Sequence, residues 1–375
     1  MKKTDIVLAG FSGYGSFYTD FLFENPYNME YNFAGVADPF LSDDCKTLLN
    51  EKNIPFYDSL EEFYAAGSAD LAIISAPIHF HKDLCETALK NGSTVLCEKP
   101  TTARLSELYE MHEFEKKYGK DIFIGFQWSF ATPILKLKKD LISGKFGKIL
   151  SAKAIVLWPR NLSYYGRTTG WAGKIKTKDG LYVHDSVASN ATAHYLNNLL
   201  FLLGERMETA AKIEVIDAKC YKANDIESFD TCIINAKTAK EEQVLFIASH
   251  AVEKSKEPLL EIKCEKAVIN CDFAKDDGML TAVYNDGGME NYGEVSTLRQ
   301  QHEKLISVIN WLQGSENSTK PVSTVMTTES FTQIIDYVFE NVEFKKLDDI
   351  RFEDDKDRFY GYGLFDKLVD TYNKQ

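Results

Sequence analysis

Glu98 and Lys99 follow an apolar run directly, and Pro100 ends the segment. The run S-T-V-L-C at 93–97 predicts a buried strand, which places both charged side chains at its carboxyl end. A lysine ammonium can hydrogen-bond a hydroxyl, and partial burial or a neighbouring cation lowers its pKa toward neutrality. Lys99 is therefore a candidate for proton transfer, and a solvated lysine after a strand is the plainer alternative.

A glycine-rich turn near the start of the chain is a second candidate site. Residues 4–9 predict a strand and residues 16–23 a helix, with G-F-S-G-Y-G between them. This turn matches the first and last glycines of G-x-G-x-x-G, but Ser12 replaces the middle glycine. A side chain at that position leaves less room for a phosphate to approach the backbone. Backbone amides at a helix N-terminus bind a pyrophosphate. The candidate contacts are Gly10, Ser12, Gly13, Tyr14 and Gly15.

A second strand, F-A-G-V-A at 33–37, ends at Asp38. An acidic residue at this position accepts hydrogen bonds from the adenosine ribose of a dinucleotide and repels the 2′-phosphate of NADP. Together with the glycine turn, Asp38 predicts a site for NAD rather than NADP. A glycine turn beside an incidental aspartate is the structural alternative.

Strand and helix patterns alternate through the first third of the chain. After Asp38 they continue at 59–65, 69–76, 81–90, 93–97, 106–118 and 121–126. Repeats of this length predict parallel strands with right-handed crossovers, and hence an α/β doubly wound Rossmann sheet. Ligands of such sheets bind at the carboxyl ends of the strands, which makes Ala76, Pro77 and His81 further candidate contacts.

Length and charge restrict the other possibilities. A chain of 375 residues is longer than a single hydrophobic core usually supports. We therefore expect two domains, residues 1–125 and 126–375. The net charge is −13 with no basic block, which argues against nucleic acid as a partner. The apolar run at the start is too short for a signal peptide or a membrane span, which predicts a cytoplasmic protein without a membrane partner.

The chain beyond residue 148 shows strand patterns without intervening helices. The predicted strands are 149–158, 211–221, 230–237, 243–251, 258–264, 266–272 and 279–284. They predict an α+β domain with a large, mainly antiparallel open sheet. Helices are predicted at 297–313 and 327–342, and their packing back onto the N-terminal domain is left open. Residues 354–373 fit no pattern.

Residues 185–204 predict a largely apolar helix that carries a polar stripe. Asp185 or Ser186 is a suitable N-cap, and a glycine at the end is a suitable stop. Three polar residues recur within it at helical spacing: Asn190, His194 and Asn197. Buried polar groups need partners, and a ligand-lined cleft supplies them. A core histidine bonded to backbone is the alternative for His194.

Aromatic and cationic residues are concentrated in W-P-R-N-L-S-Y-Y-G-R-T-T-G-W-A-G-K, residues 158–174. Rings cover the apolar face of a sugar, while guanidinium and ammonium groups donate to hydroxyls or a carboxylate. The predicted substrate contacts are Trp158, Arg160, Tyr165, Arg167, Trp171 and Lys174. Aromatic packing in a sheet or a subunit interface is the alternative.

The N-terminal segments resemble the Gfo/Idh/MocA family of NAD(P)-dependent oxidoreductases. S-A-P-I-H-F-H (75–81) and A-L-K-N-G-S-T-V-L-C-E-K-P (88–100) are similar to the family's T-P-x-x-x-H and A-L-x-x-G-x-x-V-x-x-E-K-P. G-F-Q-W-S-F (125–130) looks like the family's crossing into its second domain. The resemblance implies cofactor contacts from Glu98 and Gln127, and a second domain whose sheet often packs against another subunit.

The resemblance also implies a histidine that works with Lys99, supplied by a motif like D-x-x-x-H. His194 takes that place, and Asn190 stands where the family has an aspartate. Alternatively, the aspartate has shifted by five positions to Asp185, beside His184. Lys99 and His194 are then expected to share proton transfer, while Asn190 or Asp185 orients the substrate.

The function implied by the resemblance is an NAD-dependent dehydrogenase acting on a polyol, sugar or sugar acid. We expect a homodimer or homotetramer formed through the C-terminal sheet. An NAD-dependent glycosidase using transient oxidation and a non-catalytic sugar or nucleotide sensor are the alternatives. No metal is predicted, because no metal-ligand spacing links the candidate histidines His79, His112, His184, His250 and His302.

Overall fold

The structure, a computed structural model, describes residues 3–166, 170–275 and 278–374. The chain divides into two compact units: Met1–Gly125 with Glu303–Met326, and Phe126–His302 with Thr327–Gln375. The first unit therefore includes a late segment, 303–326, in addition to the residues before 126. Within the described ranges, no helix is long and apolar enough to cross a membrane.

The first unit is built around a parallel sheet. Its strands are β1 (Thr4–Ala9), β2 (Tyr31–Ala37), β3 (Phe56–Tyr57), β4 (Leu71–Ile74), β5 (Thr94–Cys97) and β6 (Ile122–Ile124). They pair in parallel in the order β3-β2-β1-β4-β5-β6. The helices between them are α1 (Gly15–Glu24), α2 (Asp43–Glu51), α3 (Leu60–Ala66), α4 (His81–Lys90) and α5 (Leu105–Tyr118). This order confirms the predicted doubly wound Rossmann sheet.

The central strands β1, β4 and β5 are mainly apolar and almost entirely buried, as strands covered on both faces require. Helix starts follow local capping, because the side-chain oxygens of Ser42 and Ser59 accept backbone N–H groups at the starts of α2 and α3. Helix α2 was not predicted from the sequence. It buries only Leu49 completely, so it carries no apolar period to detect.

The second unit contains a larger, mixed sheet. Its strands are β7 (Ile149–Leu157), β8 (Ile213–Lys222), β9 (Thr231–Thr238), β10 (Gln243–Ser249), β11 (Lys256–Cys264), β12 (Ala267–Asp272), β13 (Met279–Tyr284), β14 (Met289–Glu294) and β15 (Phe344–Lys346). They lie in the order β14-β13-β12-β11-β7-β10-β9-β8-β15. Only the β7–β10 and β8–β15 pairs are parallel among these described strands, which confirms the mainly antiparallel sheet. Strands β14 and β15 were not predicted.

Helices α6 (Thr132–Ile142), the short α7 (Leu162–Tyr165) and α8 (Ala193–Leu202) belong to the second unit. Helix α9 (Leu298–Leu312) has residues 298–302 assigned to the second unit and residues 303–312 assigned to the first. Helix α10 (Glu329–Asn341) again belongs to the second unit. The helices predicted at 297–313 and 327–342 correspond to α9 and α10.

The C-terminal segment, which the sequence left unassigned, completes the core of the second unit. A hairpin of β16 (Ile350–Glu353) and β17 (Arg358–Gly361) leads into α11 (Leu364–Lys374). One stripe of α11 packs on apolar residues of β7 and β10. The stripe and its partners are Leu364, Leu368, Tyr372, Ile155, Leu157, Leu245 and Ile247. This helix therefore covers part of one face of the sheet that was expected to receive another subunit.

Candidate functional site

The turn after β1 requires glycine at two of its positions. Gly10 has φ +90°, and a Cβ there would lie 2.5 Å from the carbonyl oxygen of Ser75. A Cβ on Gly15 would lie 2.2 Å from the carbonyl oxygen of Gly10. Gly13 also adopts positive φ, +64°, and faces open space. The turn thus keeps its backbone close to the β4 edge, and the side chain of the N-cap residue Tyr14 makes no capping hydrogen bond to α1.

Ser12 and Tyr14 are the remaining polar candidates of this turn, and their contacts could not be predicted from the sequence. Ser12 is exposed, and its carbonyl oxygen accepts the Gly15 N–H at 3.1 Å. The Tyr14 hydroxyl accepts a hydrogen bond from the Lys304 ammonium at 3.1 Å. Tyr14 therefore links the glycine turn to the late segment of the same unit.

Asp38 follows β2 directly, and its side chain is almost completely buried. Its Oδ2 accepts the backbone N–H of Phe11 at 2.9 Å, and its Oδ1 accepts that of Phe40 at 2.9 Å. The carboxylate therefore holds the glycine turn beside the loop after β2. Each carboxylate oxygen accepts more than one hydrogen bond, so these contacts leave capacity for a ribose hydroxyl. Phe40 is 85% exposed, an apolar surface beside Asp38 that sequence reasoning missed.

His81 lies at the start of α4 and is buried. One ring nitrogen lies 2.9 Å from the Ala76 carbonyl oxygen, and the other lies 3.0 Å from that of Pro100. Burial lowers the pKa of His81, and the backbone hydrogen bonds oppose this shift. The ring therefore joins the loop after β4, which contains Ala76 and Pro77, to the loop after β5. With its ring enclosed, His81 fits a role in holding these loops better than direct contact with a ligand.

Glu98 forms a buried ion pair with Lys304, a residue that sequence reasoning missed. The Lys304 Nζ lies 2.5 Å from the Glu98 Oε1, and the Tyr18 hydroxyl donates to the same oxygen at 2.6 Å. The Lys304 ammonium also lies 4.7 to 4.8 Å from the ring centroids of Tyr14, Phe17 and Tyr18. Its positive charge is thus surrounded by one carboxylate and three π faces.

Both pKa shifts favour the ionised pair. Burial acts to raise the pKa of Glu98, but the Lys304 charge and the hydrogen bonds from Lys304 and Tyr18 outweigh it, so the pKa lies below its usual value. Burial acts to lower the pKa of Lys304, but the interactions with Glu98 and Tyr14 outweigh it, so the pKa is raised. No local sequence signal could have linked Lys304 to Glu98, because they are 206 positions apart.

Lys99 is half-buried at the carboxyl end of β5. Its backbone N–H donates to the Glu98 Oε2 at 3.1 Å, and the Lys99–Pro100 peptide bond is cis. Gly10, Asp38, Ala76 and Lys99 all follow the carboxyl ends of strands in one parallel sheet. They therefore share the edge at which such sheets bind their ligands.

In the second unit the two candidates for the family's aspartate lie together. The Asn190 side-chain amide donates to the Asp185 Oδ1 at 2.9 Å. The Asp185 Oδ2 accepts the Gly173 N–H at 2.6 Å, and Asp185 is buried. Asp185 thus fixes both the side chain of Asn190 and the backbone of the aromatic-rich segment.

The predicted helix start at Asp185 or Ser186 is wrong, because α8 begins at Ala193. Hydroxyl groups bond to local backbone between these positions: Ser189 to the His184 carbonyl oxygen, and Thr192 to that of Val187. Such local bonds compete with helical ones. Asn190 therefore lies in a turn before α8, and the predicted stripe of three residues on one helix does not form.

His194 lies in the first turn of α8. Its ring is 5.7 Å from the ring of Phe126 and 5.7 Å from that of Trp128, measured between centroids. Asn197, the third residue of the predicted stripe, is buried further along the helix. Gln127 begins a short 3₁₀ turn, Gln127–Phe130.

Only some of the predicted substrate-binding residues between positions 158 and 174 lie close to one another. The Arg160 guanidinium lies 5.8 Å from the Trp158 ring and 5.2 Å from the Tyr164 ring. Burial raises the pKa of the Tyr165 hydroxyl well above its usual value. Lys174 forms an exposed ion pair with Glu227 at 2.9 Å. Trp171 is half-buried, and Arg167 lies outside the described residues.

Residues 5–126 match the sequence model of the Gfo/Idh/MocA family, described as an oxidoreductase family with an NAD-binding Rossmann fold. The match covers the N-terminal third of the chain. Among curated relatives, inositol 2-dehydrogenase from Corynebacterium glutamicum (strain R) is 26% identical over 125 residues, which cover 33% of this chain and 37% of the relative. Alignments with the first four curated relatives span 30–42% of their lengths.

Solved structures match the chain over most of its length. The WlbA dehydrogenase from Bordetella pertussis, crystallised with NADH and UDP-GlcNAcA, has a TM-score of 0.70 and 17% identity, with 91% of this chain and 97% of that chain covered. The aldose-aldose oxidoreductase from Caulobacter crescentus, complexed with glycerol, has a TM-score of 0.71 and 15% identity, with coverage of 90% and 97%. These matches establish the fold of both units.

Proposed function

We propose that this protein is an NAD-dependent dehydrogenase that transfers a hydride between a CH–OH carbon of a polyol, sugar or sugar acid and nicotinamide. The observation that carries the proposal is the position of Lys99. It stands at the carboxyl end of β5, on the same sheet edge as the glycine turn and Asp38. The match of residues 5–126 to an NAD-binding Rossmann model supports an NAD site at this edge.

The residues at this edge fit a dinucleotide. Side chains at Gly10 and Gly15 would collide with neighbouring backbone, so this tight turn requires glycine at both positions. It leads into the N-terminus of α1, where helices bind a pyrophosphate. Asp38 would accept the ribose hydroxyls and repel the extra phosphate of NADP. Bound NAD would supply the hydride acceptor.

Lys99 carries the proton in this proposal. Oxidation of an alcohol releases a proton as the hydride leaves, and a half-buried amine beside the reacting hydroxyl can accept it. Glu98 does not compete for this role, because its carboxylate is held by Lys304 and Tyr18. It instead accepts the backbone N–H of Lys99 and so fixes the start of the loop that positions the amine.

We assign substrate recognition to the second unit. Asn190, oriented by Asp185, donates to a substrate hydroxyl, and His194 assists Lys99 in proton transfer. Trp158, Arg160, Tyr165, Trp171 and Lys174 are proposed to surround the substrate. Relatives support a carbohydrate class, since they include an inositol dehydrogenase and an enzyme crystallised with a nucleotide sugar.

The proposal extends to a cytoplasmic homo-oligomer. Because α11 covers part of one sheet face, a partner subunit would have to use the part of the sheet beyond β7 and β10. Light scattering on the purified protein measures the subunit number directly. A monomer at all concentrations would remove this part of the proposal without affecting the proposed chemistry.

Lys99→Ala tests the chemistry. NADH absorbance is first used to screen polyols, sugars and sugar acids with the wild-type protein. The variant is expected to lose at least 100-fold in kcat while calorimetry shows nearly unchanged NAD affinity, because general acid–base catalysis contributes about 10²–10⁴-fold. Lys90→Ala, at the exposed end of α4, is the control and should retain full turnover.

The same measurements separate the alternatives. Full turnover in Lys99→Ala would exclude Lys99 from the mechanism. Substrate cleavage without net NADH formation would favour the glycosidase. Binding of NAD and a sugar with no turnover of any kind would favour the sensor.

A further inference from the structure

Three potential metal ligands from distant parts of the chain meet in the second unit. His184 precedes α8, while Asp336 and Glu340 lie on α10. One ligand atom from each residue lies within 4.8 Å of those of the other two. No metal was predicted from the sequence, because the spacing of the histidines contains no information about carboxylates far away in the chain. Asp336 and Glu340 come close to His184 only in the folded protein.

The imidazole of His184 is held in place before any ion arrives. His184 is 1% exposed. Its ring stacks on Phe339 with centroids 4.2 Å apart and planes 2° from parallel, and Tyr182 packs edge-on at 5.2 Å. Rotation of the ring would break both contacts. A ligand fixed in this way loses little conformational freedom on binding.

The two carboxylates are placed where a helix does not favour negative charge. Asp336 and Glu340 are four residues apart, so they share one face of α10 and repel each other. Glu340 lies in the last turn of α10, where the helix dipole is negative, and this turn contains no basic residue. A cation between them would relieve both unfavourable interactions.

We propose that His184, Asp336 and Glu340 bind a divalent transition-metal ion, for which Zn²⁺ is the best match. Imidazole nitrogen and carboxylate oxygen are both ligands of zinc, and three protein ligands leave a position for water. In tetrahedral geometry, ligand bonds of about 2.0–2.2 Å place donors about 3.3–3.6 Å apart. The exposed side chain of Glu340 can close the difference, and its exposure gives the ion a path into the site.

The ion would clamp the segment before α8 to α10. His184 is followed directly by Asp185, which holds the Gly173 N–H and the Asn190 side chain. A metal at this position would therefore stiffen the backbone that carries these two polar residues. The proposal concerns ion binding and does not depend on the function proposed for the chain.

Equilibrium dialysis of the untagged, full-length protein against Zn²⁺ after chelator treatment tests the proposal. We expect one tightly bound ion per chain, and at least tenfold weaker binding in Asp336→Asn and in Glu340→Gln. Both changes are isosteric and lie on exposed or half-buried positions, so the variants should fold. Glu343→Gln, an exposed neighbour outside the ligand set, is the control and should bind like the wild type.

Cobalt distinguishes this site from adventitious thiolate binding. The chain has seven free cysteines, of which Cys45 is half-buried and the others are buried. Co²⁺ at the proposed site would show ligand-field absorbance without thiolate charge-transfer bands. The proposal is overturned if no stoichiometric zinc binds, if the Asp336→Asn/Glu340→Gln double variant binds normally, or if cobalt shows thiolate bands.

Discussion

Lys304→Met would leave the Glu98 carboxylate buried without its cation. In the wild type the two charged atoms lie 2.5 Å apart, and the side chains of Lys304 and Glu98 are 0% and 7% exposed. At an effective dielectric constant of about 20, two unit charges at that distance attract by about 7 kcal/mol. Desolvation of both groups cancels much of this attraction.

The expected loss is therefore about 3–5 kcal/mol of unfolding free energy, as for other buried pairs that lose one partner. Methionine fills most of the volume of the lysine stem, so the loss reports the uncompensated charge of Glu98 more than a cavity. The double variant Glu98→Gln/Lys304→Met lacks both charges of this pair. It should recover at least about 2 kcal/mol relative to the single variant.

The wild type and Lys304→Met should also differ in how their stability depends on pH. The pKa of Glu98 is lowered from 4.5 and that of Lys304 is raised from 10.5. Their wild-type contribution is therefore present between these ordinary values and is lost only at lower or higher pH. In Lys304→Met, burial alone acts on Glu98 and raises its pKa, so the variant should lose stability as the pH rises from about 5 to 8.

Urea unfolding at several pH values measures both the loss of stability and its dependence on pH. Hydrogen exchange of peptides from α1 and β5 then shows whether the loss lies in the first unit. Unchanged stability of Lys304→Met would refute the reasoning. So would a double variant no more stable than the single one, because the damage would then come from lost packing.

Three further changes have defined outcomes. Gly10→Ala should weaken NAD binding at least tenfold in calorimetry because its Cβ would meet the Ser75 carbonyl oxygen, whereas Gly92→Ala, with the same φ of +90° and open space, should not. Asp38→Asn should raise the ratio of kcat/KM for NADP to that for NAD at least tenfold, and an unchanged ratio would remove Asp38 from cofactor selection. Burial lowers the pKa of Lys138 to about 7, so the native state binds fewer protons than the unfolded state from there up to the ordinary value of 10.5. Stability should therefore rise by a few kcal/mol across that pH range, and urea titrations of Lys138→Met should show a smaller rise.

The sequence predicted the first unit well because its signals are local. Gly10, Asp38 and Lys99 each follow a strand whose apolar run is visible within a few residues. Such signals place a residue at the edge of a parallel sheet without any knowledge of distant contacts. The chemical roles assigned to these residues remain predictions for the experiments above.

Errors occurred where distant or side-chain contacts decide the structure. Lys304 resembles any charged helix residue until folding brings it to Glu98. The helix predicted from Asp185 starts late because Ser189 and Thr192 bond to nearby carbonyl groups. The apolar stripe of α11 could be recognised as part of the core only once the face of β7 and β10 that it covers was known.

The division of the first unit into two chain segments affects how the protein is made. Glu98 leaves the ribosome 206 residues before Lys304, a delay of about 10–40 s at about 5–20 residues per second. Throughout that interval the nascent sheet contains an acid whose counter-charge has not yet been translated. The N-terminal unit therefore cannot mature as a finished block ahead of the rest, and fragments that stop near residue 125 would be poor material for crystallography or binding studies.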